Sequence, residues 1–118
     1  MIRMHSETVI FTDGSGKTGK YIYAIPEKKI VKIFQKRGLT NNEAEYHGVI
    51  AALTQIKEKS ITIVSDSQLV VNQLNKNYKI KEPRLKKLAE QIWKLCKSRE
   101  IKFKWVRREK NFAGHILG

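Results

Sequence analysis

The stretch "GLTNNEAEYHG", residues 38–48, is where the chain stops reading as a β-meander and starts reading as a helix. Upstream, "ETVIFTD" (7–13) alternates, which puts Val9, Phe11 and Asp13 on one face and makes Val9 and Phe11 expected core residues. "GSGKTG" supplies turn chemistry before "YIYAI", and "PEKK" turns the chain again into "IVKIF". Residues 7–34 therefore read as three antiparallel strands. Downstream the period changes: Tyr46, Val49, Ile50, Leu53 and Ile56 follow helical spacing over 43–57, with an end expected near Glu58. "SITIVSD" is a β-branched strand that follows a crossover, so it is expected to join the sheet in parallel. Ser67 suits the cap of a short helix over 68–74, and Pro83 the first turn of another with Leu85, Leu88, Ile92 and Leu95 as its buried stripe. "IKFKWV" alternates as a last strand before the tail "RREKNFAGHILG". The order βββαβααβ describes an α/β fold built on a five-stranded mixed sheet, three antiparallel strands and then parallel ones, flanked by helices.

The bulk composition sets bounds on this picture. With 118 residues and 41% hydrophobic content the chain is expected to form a single domain, residues 1–118, with one core. Twenty-four Lys and Arg against eleven Asp and Glu give a formal charge of +13, which favours a polyanionic partner, nucleic acid first, over a merely solvated surface. Cys96 is the only cysteine, so a disulfide framework is excluded and a reducing compartment expected. No apolar run approaches the roughly 18 residues of a membrane span, and "MIRMH" reads as a genuine start without a signal peptide. A cytoplasmic protein with no membrane partner is expected.

The carboxylates carry the chemistry. Thr40 and Glu43 fit the S/T-x-x-E capping box, which gives Glu43 a structural task. Glu45 has no such local use and lies beside small Ala52 on the helical wheel, where close approach to a sheet is easy. Asp13 and Asp66 each end a strand; their local alternatives are an Asx-turn with "DGS" and capping help that Ser67 already supplies. If those strands are neighbours, three carboxylates crowd one point and repel unless a cation joins them. Hard oxygen ligands without a cysteine cluster favour Mg²⁺ or Mn²⁺ over zinc.

The set "FTDGS", "TNNEAEY", "SDSQLVVNQL" and "VRREKN", in that order, resembles the type 1 ribonuclease H family over almost the whole chain. The short connection 75–82 is similar to compact archaeal and bacterial forms without a basic protrusion, and no hybrid-binding domain is expected ahead of the core. The resemblance implies a ribonuclease H-like fold, hydrolysis of the RNA strand of RNA·DNA hybrids, and Asp13, Glu45 and Asp66 as catalytic ligands of two Mg²⁺ or Mn²⁺ ions. It implies substrate contacts from Gly14, Ser15, Asn41, Asn42, Ser67, Gln68, Arg108 and Asn111, although Asn41 and Asn42 fit equally well as helix-cap residues. An amide can both donate to and accept from a ribose 2′-OH, the group that distinguishes RNA from DNA.

The chain departs from the family at its end, where His115 stands at the fourth acidic position and the usual C-terminal helix is largely missing. His115 is expected as a fourth catalytic and metal ligand, with a frayed tail as its alternative, and the short terminus raises assembly with another chain, leaving the oligomeric state open. "GSGKTG" mimics a P-loop, but Phe11 occupies the first glycine position. His5 and His47 are expected at the surface, and Trp93 and Trp105 in the core. Two rival readings remain: a non-catalytic module binding hybrid or double-stranded RNA, and a nuclease domain cut from a reverse transcriptase or mobile element.

Overall fold

The computed structural model describes residues 7–117, so the expectation for His5 lies outside the described residues. Five strands form one sheet: β1 (Thr8–Gly14), β2 (Lys20–Ile25), β3 (Ile30–Gln35), β4 (Ser60–Ser65) and β5 (Glu100–Trp105). Their order is β3-β2-β1-β4-β5. The first three pair antiparallel, while β4 joins β1, and β5 joins β4, in parallel. The helices are α1 (Asn41–Gln55), α2 (Gln68–Leu74), α3 (Pro83–Leu95) and α4 (Phe112–Leu117). None of them is long and apolar enough to cross a membrane.

The main core lies between the sheet and α1 with α3. Tyr46, Val49 and Leu53 of α1 pack on Ile10, Tyr23, Ile25, Ile61 and Ile63, all at most 1% exposed. Each such side chain contributes roughly 1.5–3 kcal/mol by leaving water. Leu85, Ala89 and Ile92 of α3 close the same cluster. Two polar ties stitch its edges: Tyr46 Oη donates to Gln73 Oε1 at 2.7 Å, and Tyr23 Oη to Gln55 Oε1 at 2.5 Å. A buried hydroxyl without such a partner would be costly.

Several expectations are corrected. The principal core faces Ile10, not Phe11: alternation located the two faces of β1 but not which one is thickly covered. Phe11 instead packs with Ile22, Ala24, Ala113 and Leu117 in a smaller cluster on the opposite face, its ring centroid 6.2 Å from that of Phe112. The tail is not irregular, because its last residues form α4 against β1 and β2, making the order βββαβααβα. α1 begins and ends two residues earlier than its apolar period suggested. Trp105 is 41% exposed at the edge of the sheet, whereas Trp93 is half-buried against the core. His47 is half-buried too, its ring 5.4 Å from that of Tyr21.

Arg99 replaces the glycine or proline stop that α1 lacks. Its guanidinium donates to the carbonyls of Leu53, Ile56, Glu58 and Leu95, so it serves the ends of both α1 and α3. A cation there also opposes the negative ends of two helix dipoles. Arg99→Ala is therefore expected to lower stability by about 2 kcal/mol or more, given ~1.5–3 kcal/mol per charge-assisted bond, with Arg99→Lys recovering less than half. Urea denaturation measures this; a loss below ~0.5 kcal/mol, the scale of ordinary surface changes, would remove Arg99 from this role.

Candidate active site

The carboxyl ends of β1 and β4 are adjacent in the sheet, and the paired register stops at Phe11 and Val64. Asp13 and Asp66 follow just beyond those pairs, so the strands deliver both side chains to one crevice. Glu45 comes from the start of the second turn of α1, on the other face of the sheet. It reaches the same point because Gly14 has no side chain. A Cβ on Gly14 would stand 2.3 Å from the Ala44 carbonyl carbon and 2.6 Å from the Glu45 amide nitrogen. Only glycine allows the helix to lie that close.

The two glutamates of "NNEAEY" have opposite fates. Thr40 Oγ1 accepts from the Glu43 amide at 3.1 Å, and Glu43 Oε1 accepts from the Thr40 amide at 2.9 Å, completing the capping box. That bond to Thr40 is the first cause holding Glu43 below the usual carboxylate range. Glu45 is pushed up to about 9, first by burial and then by Asp13 and Asp66. Asp13 is raised for the same reasons, burial leading and Asp66 following, against the opposing pull of the Gly14 amide and Arg108.

Carboxylate oxygens of Asp13, Glu45 and Asp66 lie within 4.8 Å of one another, the one such potential metal-binding group among the described residues. Asp13 Oδ1 and Glu45 Oε1 are buried without a hydrogen-bond donor. Buried acceptors left in that state are costly, and a cation or a shared proton is what relieves them. The residues present thus fit a hard divalent ion. Arg108 approaches from the solvent side, 3.2 Å from Asp66 Oδ2 and 3.9 Å from Asp13 Oδ2.

Around the carboxylates is an open cleft of about 580 Å³. Of the residues that the resemblance implies as substrate contacts, Gly14, Ser15, Asn41, Asn42, Ser67 and Arg108 line it. Asn41 Oδ1 also accepts from the Gly16 amide at 2.6 Å, so it fastens the β1–β2 turn to α1. Ser67 Oγ caps α2 through the Val70 amide at 3.2 Å. Gln68 is exposed on the first turn of α2 but does not line the cleft. Lys17, Thr18 and Leu117 line it as well. The lysine of the "GSGKTG" turn is expected from the sequence to approach phosphate, whereas nothing in the sequence singles out Thr18 or Leu117.

Besides Gln68, two expected site residues stand outside the cleft. Asn111 is 0% exposed and has no free amide for a substrate: its Nδ2 donates to Thr12 O at 3.0 Å and Asp66 Oδ2 at 3.3 Å, and its Oδ1 accepts from the Ala113 amide. It is a positioning residue for Asp66 and α4. His115 is exposed, its Nε2 2.9 Å from the Glu109 carbonyl oxygen, and it is absent from the carboxylate group. The phase of α4 explains this, because Gly114 is the residue it turns toward the acids. A Cβ there would sit 3.4 Å from Asp13 Oδ2 and 3.5 Å from Asp66 Oδ2. A buried glycine inside a short helix, costly to helix stability, was the signal in the sequence.

Comparison with known proteins agrees with this geometry. The ribonuclease H family model matches residues 5–115. A ribonuclease H of Desulforamulus reducens is 34% identical, over 92% of this chain and 79% of its own length. The bifunctional protein Rv2228c of Mycobacterium tuberculosis is 41% identical over 76 residues, and the match spans about a fifth (21%) of that protein. Among solved structures, the N-terminal RNase H domain of Rv2228c superposes with a TM-score of 0.75 at 28% identity, covering 95% of both chains. LC11 RNase H1, solved in complex with an RNA/DNA hybrid, gives 0.79 at 25% identity over 94% of this chain and 93% of its own. With the family model spanning nearly the whole sequence and the carboxylates of its motifs meeting in one cleft, the chain belongs to the ribonuclease H family.

Proposed function

We propose that this protein hydrolyses the RNA strand of RNA·DNA hybrids with two divalent ions, Mg²⁺ or Mn²⁺, leaving 3′-hydroxyl and 5′-phosphate ends. The observation that carries the reading is the trio Asp13, Glu45 and Asp66, crowded within 4.8 Å with two buried oxygens lacking donors. When bound, such ions lower the pKa of an attacking water and stabilise charge on the leaving oxygen. Asp13, the most buried of the three, would hold the ions from the floor of the cleft. Glu45 and Asp66 complete the ligand set. Asn42 and Ser15 present an amide and a hydroxyl at the cleft, chemistry suited to a ribose 2′-OH. Lys17 and Arg108 offer positive charge to phosphate there. The complex of LC11 RNase H1 with an RNA/DNA hybrid supports the choice of substrate.

One observation favours a second reading, a non-catalytic module binding hybrid or double-stranded RNA: His115 does not reach the carboxylates. A labelled-substrate gel with hybrid, duplex RNA, duplex DNA and single-stranded RNA, with and without divalent ion, separates the two. Divalent-dependent cutting confined to the hybrid's RNA strand is expected; binding without cutting would select the second reading.

Variants sharpen the test. Asp13→Asn and Glu45→Gln are expected to abolish cleavage while keeping most hybrid affinity, whereas Glu43→Gln stays active with a stability loss of about 1 kcal/mol or less. His115→Ala is expected to retain most turnover in either metal. Activity in Asp13→Asn, or loss of it in Glu43→Gln, would overturn the assignment.

The charge balance gives a further expectation. Hybrid affinity should fall steeply with salt, since Lys and Arg contacts release condensed counterions, and a flat log–log plot would show that the basic surface is not the binding surface.

Stability should also depend on pH in a defined direction. A carboxyl held above its ordinary value contributes stability that is fully present below the unfolded pKa and is lost as pH rises through the folded one. For Glu45 that window runs from about 4.5 to about 9, and Asp13, raised as well, acts with the same sign. In chelator, the melting temperature is expected to fall across this range, less so in Glu45→Gln, and Mg²⁺ should restore it most at the alkaline end. Superimposable pH profiles for wild type and Glu45→Gln would contradict the strained cluster.

A further inference from the structure

The oxygens of the cluster fall into two groups with different surroundings. On the inner side, Asp13 Oδ1 and Glu45 Oε1 are buried and have no donor. On the outer side, Asp13 Oδ2 and Asp66 Oδ2 face the Arg108 guanidinium at 3.9 and 3.2 Å. The outer side gains no ligand from α4, because Gly114 is the residue nearest to it and His115 is bonded to the Glu109 carbonyl. A guanidinium is thus the one positive group against those oxygens among the described residues.

We propose that Arg108 is a resident counter-cation of the free protein: it holds the outer oxygens, limits the unliganded site to one divalent ion, and yields to a second ion when a substrate phosphate draws the guanidinium away. The proposal rests on the cation-binding reading above. Three features of the chain support it. Arg108 has a side chain that is 62% exposed, so leaving the cluster uncovers no core and breaks no buried packing. Its backbone opens the single helical turn Arg108–Lys110, directly before Asn111, which is fully buried and tied to Thr12 and Asp66. The backbone therefore stays in place and only the side chain needs to move. Finally, a guanidinium and a metal ion competing for the same carboxylate oxygens repel each other, while a phosphate diester attracts both and matches the planar donor fork of Arg. Substrate binding and completion of the metal site then become one coupled event, with reciprocal effects on each affinity.

The test is calorimetric titration of Mn²⁺ into the metal-free protein, without nucleic acid, for wild type, Arg108→Ala and Arg108→Lys, with melting curves as the folding control. Wild type is expected to bind one Mn²⁺ per chain. Arg108→Ala should bind a second, or bind it at least tenfold more tightly, while Arg108→Lys keeps the wild-type isotherm because the charge is retained. Adding a hybrid whose RNA strand carries 2′-O-methyl groups, and so cannot be cut, should bring wild type to two ions. Identical isotherms for wild type and Arg108→Ala would overturn the proposal and leave the cation site standing. Failure of every variant to bind Mn²⁺ would overturn both.

Discussion

The contact between Gly14 and the first turn of α1 is the constraint on which the site depends. Packed layers of secondary structure normally stand about 8–10 Å apart, side chains filling the gap. Here the backbone of Ala44 and Glu45 presses against a strand residue with no Cβ to be met. The capping box at Thr40 and Glu43 fixes where that turn begins, and the buried stripe of Tyr46, Val49 and Leu53 fixes its roll. Given start, roll and distance, Glu45 has no choice but to stand beside Asp13. The stability of the core is thereby converted into a fixed electrostatic strain, since folding forces together carboxylates that would separate in water.

That strain explains why neighbouring glutamates differ so much. Glu43 is solvent-facing and receives a backbone N–H, so its charge is stabilised; Glu45 is enclosed by acids and apolar atoms, so its charge is resisted. Two residues along a helix turn the side chain by about 200°, given 3.6 residues per turn, and here that rotation separates a cap from a member of the buried carboxylate cluster. Perturbed carboxyls of this kind mark sites built for cations or proton chemistry rather than for fold stability.

Much of this was legible in the sequence because it was local or periodic. The cap at Ser67, the proline start of α3, the capping box and the crossover to a parallel β4 each follow from a few adjacent residues, and the structure contains all of them. What failed was information that sequence spacing does not hold. Alternation in β1 could not say that Ile10 faces the thick layer and Phe11 the thin one. The alternating pattern of β5 put Trp105 in line with Ile101 and Phe103, but β5 is the edge strand and its last position stays 41% exposed. For α4, six residues contain less than two turns, too few for a period to show that Gly114 rather than His115 faces the acids, and the expectation for His115 rested on its place in the family's motif alone.

Helices of that length do not hold themselves, since nucleation costs more than a turn or two of hydrogen bonds returns. α4 is held from outside, and Asn111 supplies the hold. Its amide takes the Thr12 carbonyl, which lies beyond the last paired residues of β1 and β4, and an oxygen of Asp66, while its own oxygen caps the helix. One buried side chain thus closes the sheet's open crevice, orients a carboxylate and starts a helix. With every hydrogen-bonding atom so employed, its burial is stabilising; with any one partner removed it becomes an unsatisfied polar group in the interior. The dependence runs both ways, because Ala113 and Leu117 of that helix cover Ile22 and Ala24 only while Asn111 keeps it in place. α4 is therefore part of the site's framework even though its histidine does not reach the carboxylates.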